Sequence, residues 1–181
     1  VVRGDISARD IRFADAADLR GVVSGRNMNF DGNTTIGANL SGQDLHFNGP
    51  LTVTNEVVLR SSSNIFDFND EVSSDSGVTL SIVPTANTDM FVDLEDGAGH
   101  VAADRFENFK GTLTIGGQFT PAPDGDVLNG SLASAPADYI TVSESLVTGG
   151  NLVLVGSTVD FSTGNNISVG TATPGSGTIV V

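Results

Sequence analysis

The sequence predicts an all-β fold, a parallel β-helix whose coils run about 17–22 residues. Three observations predict it. First, the opening sixty residues repeat every seventeen: Ser7-Ala8-Arg9-Asp10-Ile11-Arg12-Phe13 returns as Ser24-Gly25-Arg26-Asn27-Met28-Asn29-Phe30 and again as Ser41-Gly42-Gln43-Asp44-Leu45-His46-Phe47. A fixed period of this size marks a solenoid, each repeat being one coil stacked on the last. Second, the aligned copies share four apolar columns: Ile6/Val23/Leu40, Ile11/Met28/Leu45, Phe13/Phe30/Phe47 and Leu19/Ile36/Val53. Third, Ile11 and Phe13 flank a polar Arg12, which is strand alternation, and Gly, Asn, Asp, Ser and Thr fill the intervals as turn formers.

The elements follow in order along a single β-helix over residues 1–181. Residues 1–83 read as regular coils. Stacked coils lie about 4.8 Å apart, so Phe13, Phe30 and Phe47 are expected to superpose inside the bore. Asp10, Asn27, Asp44 and Asn64 are expected to form a polar column at a turn, because Asn and Asp tolerate left-handed backbone. A looser fourth copy, Ser61-Ser62-Ser63-Asn64-Ile65-Phe66, follows an insertion, and strand Val78 to Val83 ends at Pro84. Residues 84–110 form an irregular excursion, with a strand at Met90 to Leu94 and a short helical turn or loop after Ala98. Residues 111–181 are strand-rich coils: regularity resumes over Gly111 to Gly117, and short strands follow at Tyr139 to Val142, Leu152 to Val155, Thr158 to Phe161, Ile167 to Val169 and Thr178 to Val181.

Composition narrows the function. The net charge is −14, which argues against a nucleic-acid partner. Acidity on this scale reads as solubility outside the cell or as divalent-cation binding. With ten Phe, one Tyr and no Trp, the bore is filled chiefly by Val, Leu and Ile, and the chain lacks aromatic sugar platforms. There is no cysteine, which fits a cytosolic protein or a bacterial exoprotein that crosses a narrow pore unfolded. No run reaches membrane-spanning length. A solenoid needs polar caps, and neither end shows one, so a fragment of something longer is expected.

Two stretches resemble passenger regions of Gram-negative secreted exoproteins: Phe106-Glu107-Asn108-Phe109-Lys110-Gly111-Thr112-Leu113-Thr114-Ile115-Gly116-Gly117, and Ala137-Asp138-Tyr139-Ile140-Thr141-Val142 followed by Gly149-Gly150-Asn151-Leu152-Val153-Leu154. The second is similar to the paired-strand repeat of autotransporter passengers. The coiled first third resembles filamentous-haemagglutinin-type adhesins exported by two-partner secretion. The resemblance implies a right-handed helix, a longer exoprotein as the parent, export through an outer-membrane transporter, a secreted or cell-surface location on a Gram-negative bacterium, and adhesion, including adhesion in a biofilm matrix.

The candidate sites are these. Arg9, Arg12, Arg26, Asn29 and His46 form outward columns of stacked donors suited to an extracellular polysaccharide or a surface receptor of a host or bacterial cell. Arg3-Gly4-Asp5 is the tripeptide type that integrins read; Gly4 also falls in phase with Gly21, so a structural turn accounts for it equally. Acidic loops offer calcium candidates: Asn69, Asp70 and Glu71 with Asp75; Asp93, Glu95 and Asp96; Asp124 and Asp126 with Asn129. None matches an EF-hand, and no resident cofactor is expected, calcium apart. Two histidines without a cysteine, His46 occupying an outward repeat position, do not read as a nucleophile–base pair. The expected function is a non-enzymatic adhesin segment. The alternatives are a polysaccharide-active β-helix enzyme, with Asp67, Asp70 and Glu71 as its carboxylates, and a passive stalk.

Overall fold

Apolar residues on either side of one outward residue need a neighbouring strand on each edge and a core on one face. The chain supplies both by coiling. In the computed structural model, which describes residues 1–85, 87–95, 97–120, 131–132, 137–162, 166–169 and 178–181, the strands stack in parallel as a β-helix. One sheet of ten strands runs the length of the solenoid. Its central path is Ile6–Ser7, Val23–Ser24, Leu40–Phe47, Val57–Phe68, Thr79–Val83, Thr112–Ile115, Asn151–Leu154 and Ile179–Val180, with Asp10–Phe13 and Asn27–Phe30 completing it. A second sheet stacks Ala17–Leu19, Thr34–Ile36, Leu51–Val53 and Val72–Ser74. A third, toward the C-terminal end, holds His100–Ala102, Met90–Asp93, Ala137–Val142 and Gly156–Phe161.

The four apolar columns form as expected. Ile6 pairs with Val23 and Val23 with Leu40; Ile11 with Met28 and Met28 with Leu45; Leu19 with Ile36 and Ile36 with Val53. The phenylalanine rings stack face to face inside the bore. Their centroids are 5.5 Å apart from Phe13 to Phe30 and 4.9 Å from Phe30 to Phe47. The column runs on where the repeat had blurred: Phe68 stacks on Phe47 at 5.4 Å, and Phe106 meets Phe68 edge-on at 5.4 Å. Both Phe106 and Phe109 are fully buried, so the excursion 84–110 returns to the common core. A single hydrophobic cluster extends from Ile11 to Leu154.

Three expectations are corrected. Asn64 does not continue the column of Asp10, Asn27 and Asp44. Ile65 stands opposite Asp44, and Asn64 sits in a bulge at φ 63°, one residue out of register. The three in-register members lie in strands and not at a left-handed turn; Asn27 donates from its side chain to Asp10 at 2.8 Å. The coil length also exceeds the expected range. It is seventeen residues early on, but Thr112 is bonded by Asn151, thirty-nine residues later. The added length is spent on the third sheet and on a 3-10 turn at Ala103–Arg105, which widen the solenoid beyond one strand per face. The loop residues Asp96, Asp124, Asp126 and Asn129 lie outside the described residues.

Close stacking also constrains the turns. A Cβ at Gly150 would lie 1.9 Å from the carbonyl oxygen of Gly111 one coil below, and that backbone has no freedom to move. Replacing Gly150 by Ala is expected to lower stability by roughly 1–3 kcal/mol. Replacing Phe30 by Ala removes the middle of the ring stack, and its neighbours are held at their own strand positions. The expected loss is roughly 3–5 kcal/mol, read by urea denaturation. A loss below about 1 kcal/mol, the level of a surface substitution, would contradict the stacked core.

Candidate functional site

Outward side chains obey the same register as inward ones. Arg12, Asn29, His46 and Asp67 stand opposite one another on successive strands. Arg9, Arg26 and Gln43 form a second column at the corner just before these strands. There the Arg26 N–H donates to the Arg9 carbonyl at 2.6 Å and the Gln43 N–H to the Arg26 carbonyl at 2.8 Å. Four of the five proposed ligand-binding side chains thus come from the first two coils, and His46 extends the face by one more.

The charges on this face are partly spoken for. The Arg12 Nε donates to Asp31 Oδ2 at 2.6 Å, yet the Arg12 side chain keeps 72% of its exposure, so its remaining guanidinium donors face solvent. Arg9 lies 3.6 Å from Asp10 and is equally exposed. His46 Nδ1 lies 2.5 Å from Asp67 Oδ2. A carboxylate only accepts, so His46 Nδ1 is the donor of this bond. Asp31 is held by two donors. Asn48 Nδ2 at 2.8 Å and Arg12 together push its carboxyl below the ordinary value of 3.8. Asn69 then donates to Asn48 at 2.9 Å, extending the ladder a further coil.

Beside the arginine column runs an open groove of ≈ 470 Å³. Ser7, Ser24 and Ser41 line it in register, Ala8, Gly25 and Gly42 bring almost no side chain into it, and Arg26, Gln43 and Ser62 complete it. The serine column was not singled out from the sequence, although it opens every copy of the repeat. The acidic partners Asp31 and Asp67 were missed too. Asp31 lies two residues after Asn29, just past the end of the strand Asn27–Phe30, and Asp67 stands in register with His46 only after the bulge at Asn64 is counted.

The other candidates sit apart from this face. Asp5 Oδ1 accepts the Val22 N–H at 2.9 Å, and a Cβ at Gly21 would lie 2.4 Å from the Gly4 carbonyl oxygen. The tripeptide Arg3-Gly4-Asp5 thus forms the first turn, with its carboxylate engaged by the next coil. Asp70 Oδ1 accepts the Glu71 N–H at 2.7 Å. Glu71 and Asp75 line a second groove, of ≈ 310 Å³, together with Lys110, Thr52 and Thr54. Among the described residues one group of His, Asp and Glu donors converges: Asp93, Glu95 and His100, within 4.8 Å of one another.

Comparison with family models, with curated proteins and with solved structures finds no match.

The paired Asp31 makes a testable contribution to acid stability. Its carboxyl titrates lower in the folded chain than in the unfolded one. Its contribution is therefore present above 3.8 and is lost as the pH falls through the folded value. Asp31→Asn is expected to melt below the parent at neutral pH, with the gap closing under acid. A gap of constant size in melting curves taken across that range would remove Asp31 from the acid response.

Proposed function

We propose that this β-helix is a non-enzymatic adhesin segment that presents an extended face to extracellular polysaccharide, or to a glycan-bearing receptor on a host or bacterial surface. The reading places it outside a Gram-negative cell, exported in its parent protein through an outer-membrane transporter. The observation that carries it is the regular outward face. Arg9 and Arg26 stack beside a serine-lined groove, and Arg12, Asn29 and His46 stack alongside, each one coil from the next.

The chemistry supports a polymer ligand. Donors repeating at the coil spacing of about 4.8 Å offer many equivalent weak contacts, and a chain molecule gains avidity from using several at once. The exposed guanidinium groups of Arg9 and Arg12 make this a locally cationic strip on a chain of net charge −14. Uronate or sulfate groups are the natural complement, bound by the planar fork of arginine. Serine hydroxyls along the groove add neutral donors and acceptors for sugar hydroxyls. Two of the three carboxylates of the enzymatic alternative have partners within the fold: Asp67 binds His46 and Asp70 accepts the Glu71 N–H.

Changing Arg9, Arg12 and Arg26 together to Ser tests this. The fold is expected to survive, since exposed substitutions usually cost within about 0.5 kcal/mol each. The parent chain is expected to bind polyuronates or sulfated glycans on an array, with affinity falling as salt rises, and the triple variant to lose that binding. Undiminished binding at matched ionic strength would move the site to another face. No glycan binding by the parent chain would favour the passive stalk.

A further inference from the structure

We propose that Asp93, Glu95 and His100 form a binding site for a divalent transition-metal ion of the zinc type, separate from the adhesive face. Asp93 ends the strand Met90–Asp93 and His100 begins the strand His100–Ala102, which lies parallel beside it. The connection between them is tied back to the solenoid. The Gly99 N–H donates to the Asn64 carbonyl at 2.7 Å, and the Phe91 N–H donates to the Gly99 carbonyl at 2.8 Å. That tie brings two side chains seven residues apart to hydrogen-bond distance: His100 Nδ1 lies 2.9 Å from Asp93 Oδ2. Glu95 closes the group, all three donor atoms lying within 4.8 Å of one another.

The site is half enclosed. Asp93 is 8% exposed, and its other oxygen, Oδ1, accepts the Glu95 N–H at 3.0 Å, which sets the carboxylate plane. The imidazole stacks on Phe91, with centroids 5.1 Å apart, so the ring is held by packing as well as by its hydrogen bond. A ring fixed in this way gives up little rotational freedom on binding an ion.

The donor set selects the ion. Calcium and magnesium take oxygen ligands and gain little from an imidazole nitrogen. One nitrogen and two carboxylates suit zinc, which commonly takes three protein ligands and leaves a position for water. The pair Asp93 Oδ2 and His100 Nδ1 already stands near the separation of two ligands on one ion. Glu95 is exposed and brings the third donor atom within 4.8 Å of the other two.

The experiment titrates zinc into the full chain against a chromophoric chelator at neutral pH, with calcium and magnesium as competitors. One zinc per chain is expected, undisturbed by excess of either hard ion. Glu95→Gln, an exposed change, is expected to weaken binding by about tenfold or more, and His100→Gln to abolish it. His46→Gln is the control and is expected to bind as the parent does. Circular dichroism establishes that each variant keeps its β-structure. Absence of a stoichiometric site overturns the proposal, as does equal competition by calcium, or binding by a folded His100→Gln chain at parental affinity. Loss of zinc binding leaves glycan binding untouched, so the two readings fail separately.

Discussion

Parallel stacking in register makes each residue answer to its equivalents in the coils above and below. A residue that suits the bore in one coil must suit it beside a similar residue one strand spacing away. Phenylalanine meets that demand well. Planar rings at 4.9–5.5 Å, nearly parallel, fill a narrow bore without leaving gaps between layers. The stack from Phe13 to Phe68 fixes both the radius of the helix and the inward phase of each coil. If one ring were displaced by a single residue, alternation would turn the entire strand inside out.

The same rule works against the outer surface. Stacked identical charges repel, and this chain avoids long columns of one sign by changing the side chain as it climbs. Arg9 and Arg26 give way to Gln43. Arg12 is followed by Asn29, then by His46 and Asp67 as a bonded pair. Neighbouring columns supply the remaining balance, as Asp31 does for Arg12 and as the Asn48–Asn69 ladder does for Asp31. Such side-chain ladders reinforce the backbone pairing along the axis. They also leave the Arg9 and Arg12 side chains largely exposed.

The early coils were legible in the sequence because each added coil repeats the same physical problem. A period, four apolar columns and one alternating triplet were enough to place Leu19 over Ile36 and Phe13 over Phe30. Legibility failed at the bulge, where the register shifts by two residues between Gly42 and Asp44. At Asn64 the backbone takes a left-handed conformation, and the residue read as an equivalent of Asp44 is pushed out of the ladder. Short spacings in the sequence look alike whether or not a bulge intervenes. Phe68, the true successor of Phe47, therefore went unrecognised, and with it the pairing of Asp67 with His46. The candidate face was legible only as far as it repeats: its cations were read correctly as outward, but Asp31, the partner of Arg12, lies diagonally across coils, a relation that a column alignment does not display.

Irregularity has its own consequence. A perfect repeat can present only a surface that recurs in each coil, which suits a polymer and does not create a single enclosed site. The bulge at Asn64 ends that uniformity. Its side-chain oxygen accepts the Thr85 N–H, and its backbone carbonyl accepts the Gly99 N–H. These two bonds anchor the connection that places His100 against Asp93. One left-handed residue thus moves the fourth coil out of phase and provides the seat for the segment that follows. The regular coils and the later ones consequently differ in what they present: a repeated, exposed face at one end, and, among the described residues, one half-buried cluster of mixed nitrogen and oxygen donors where the repeat breaks.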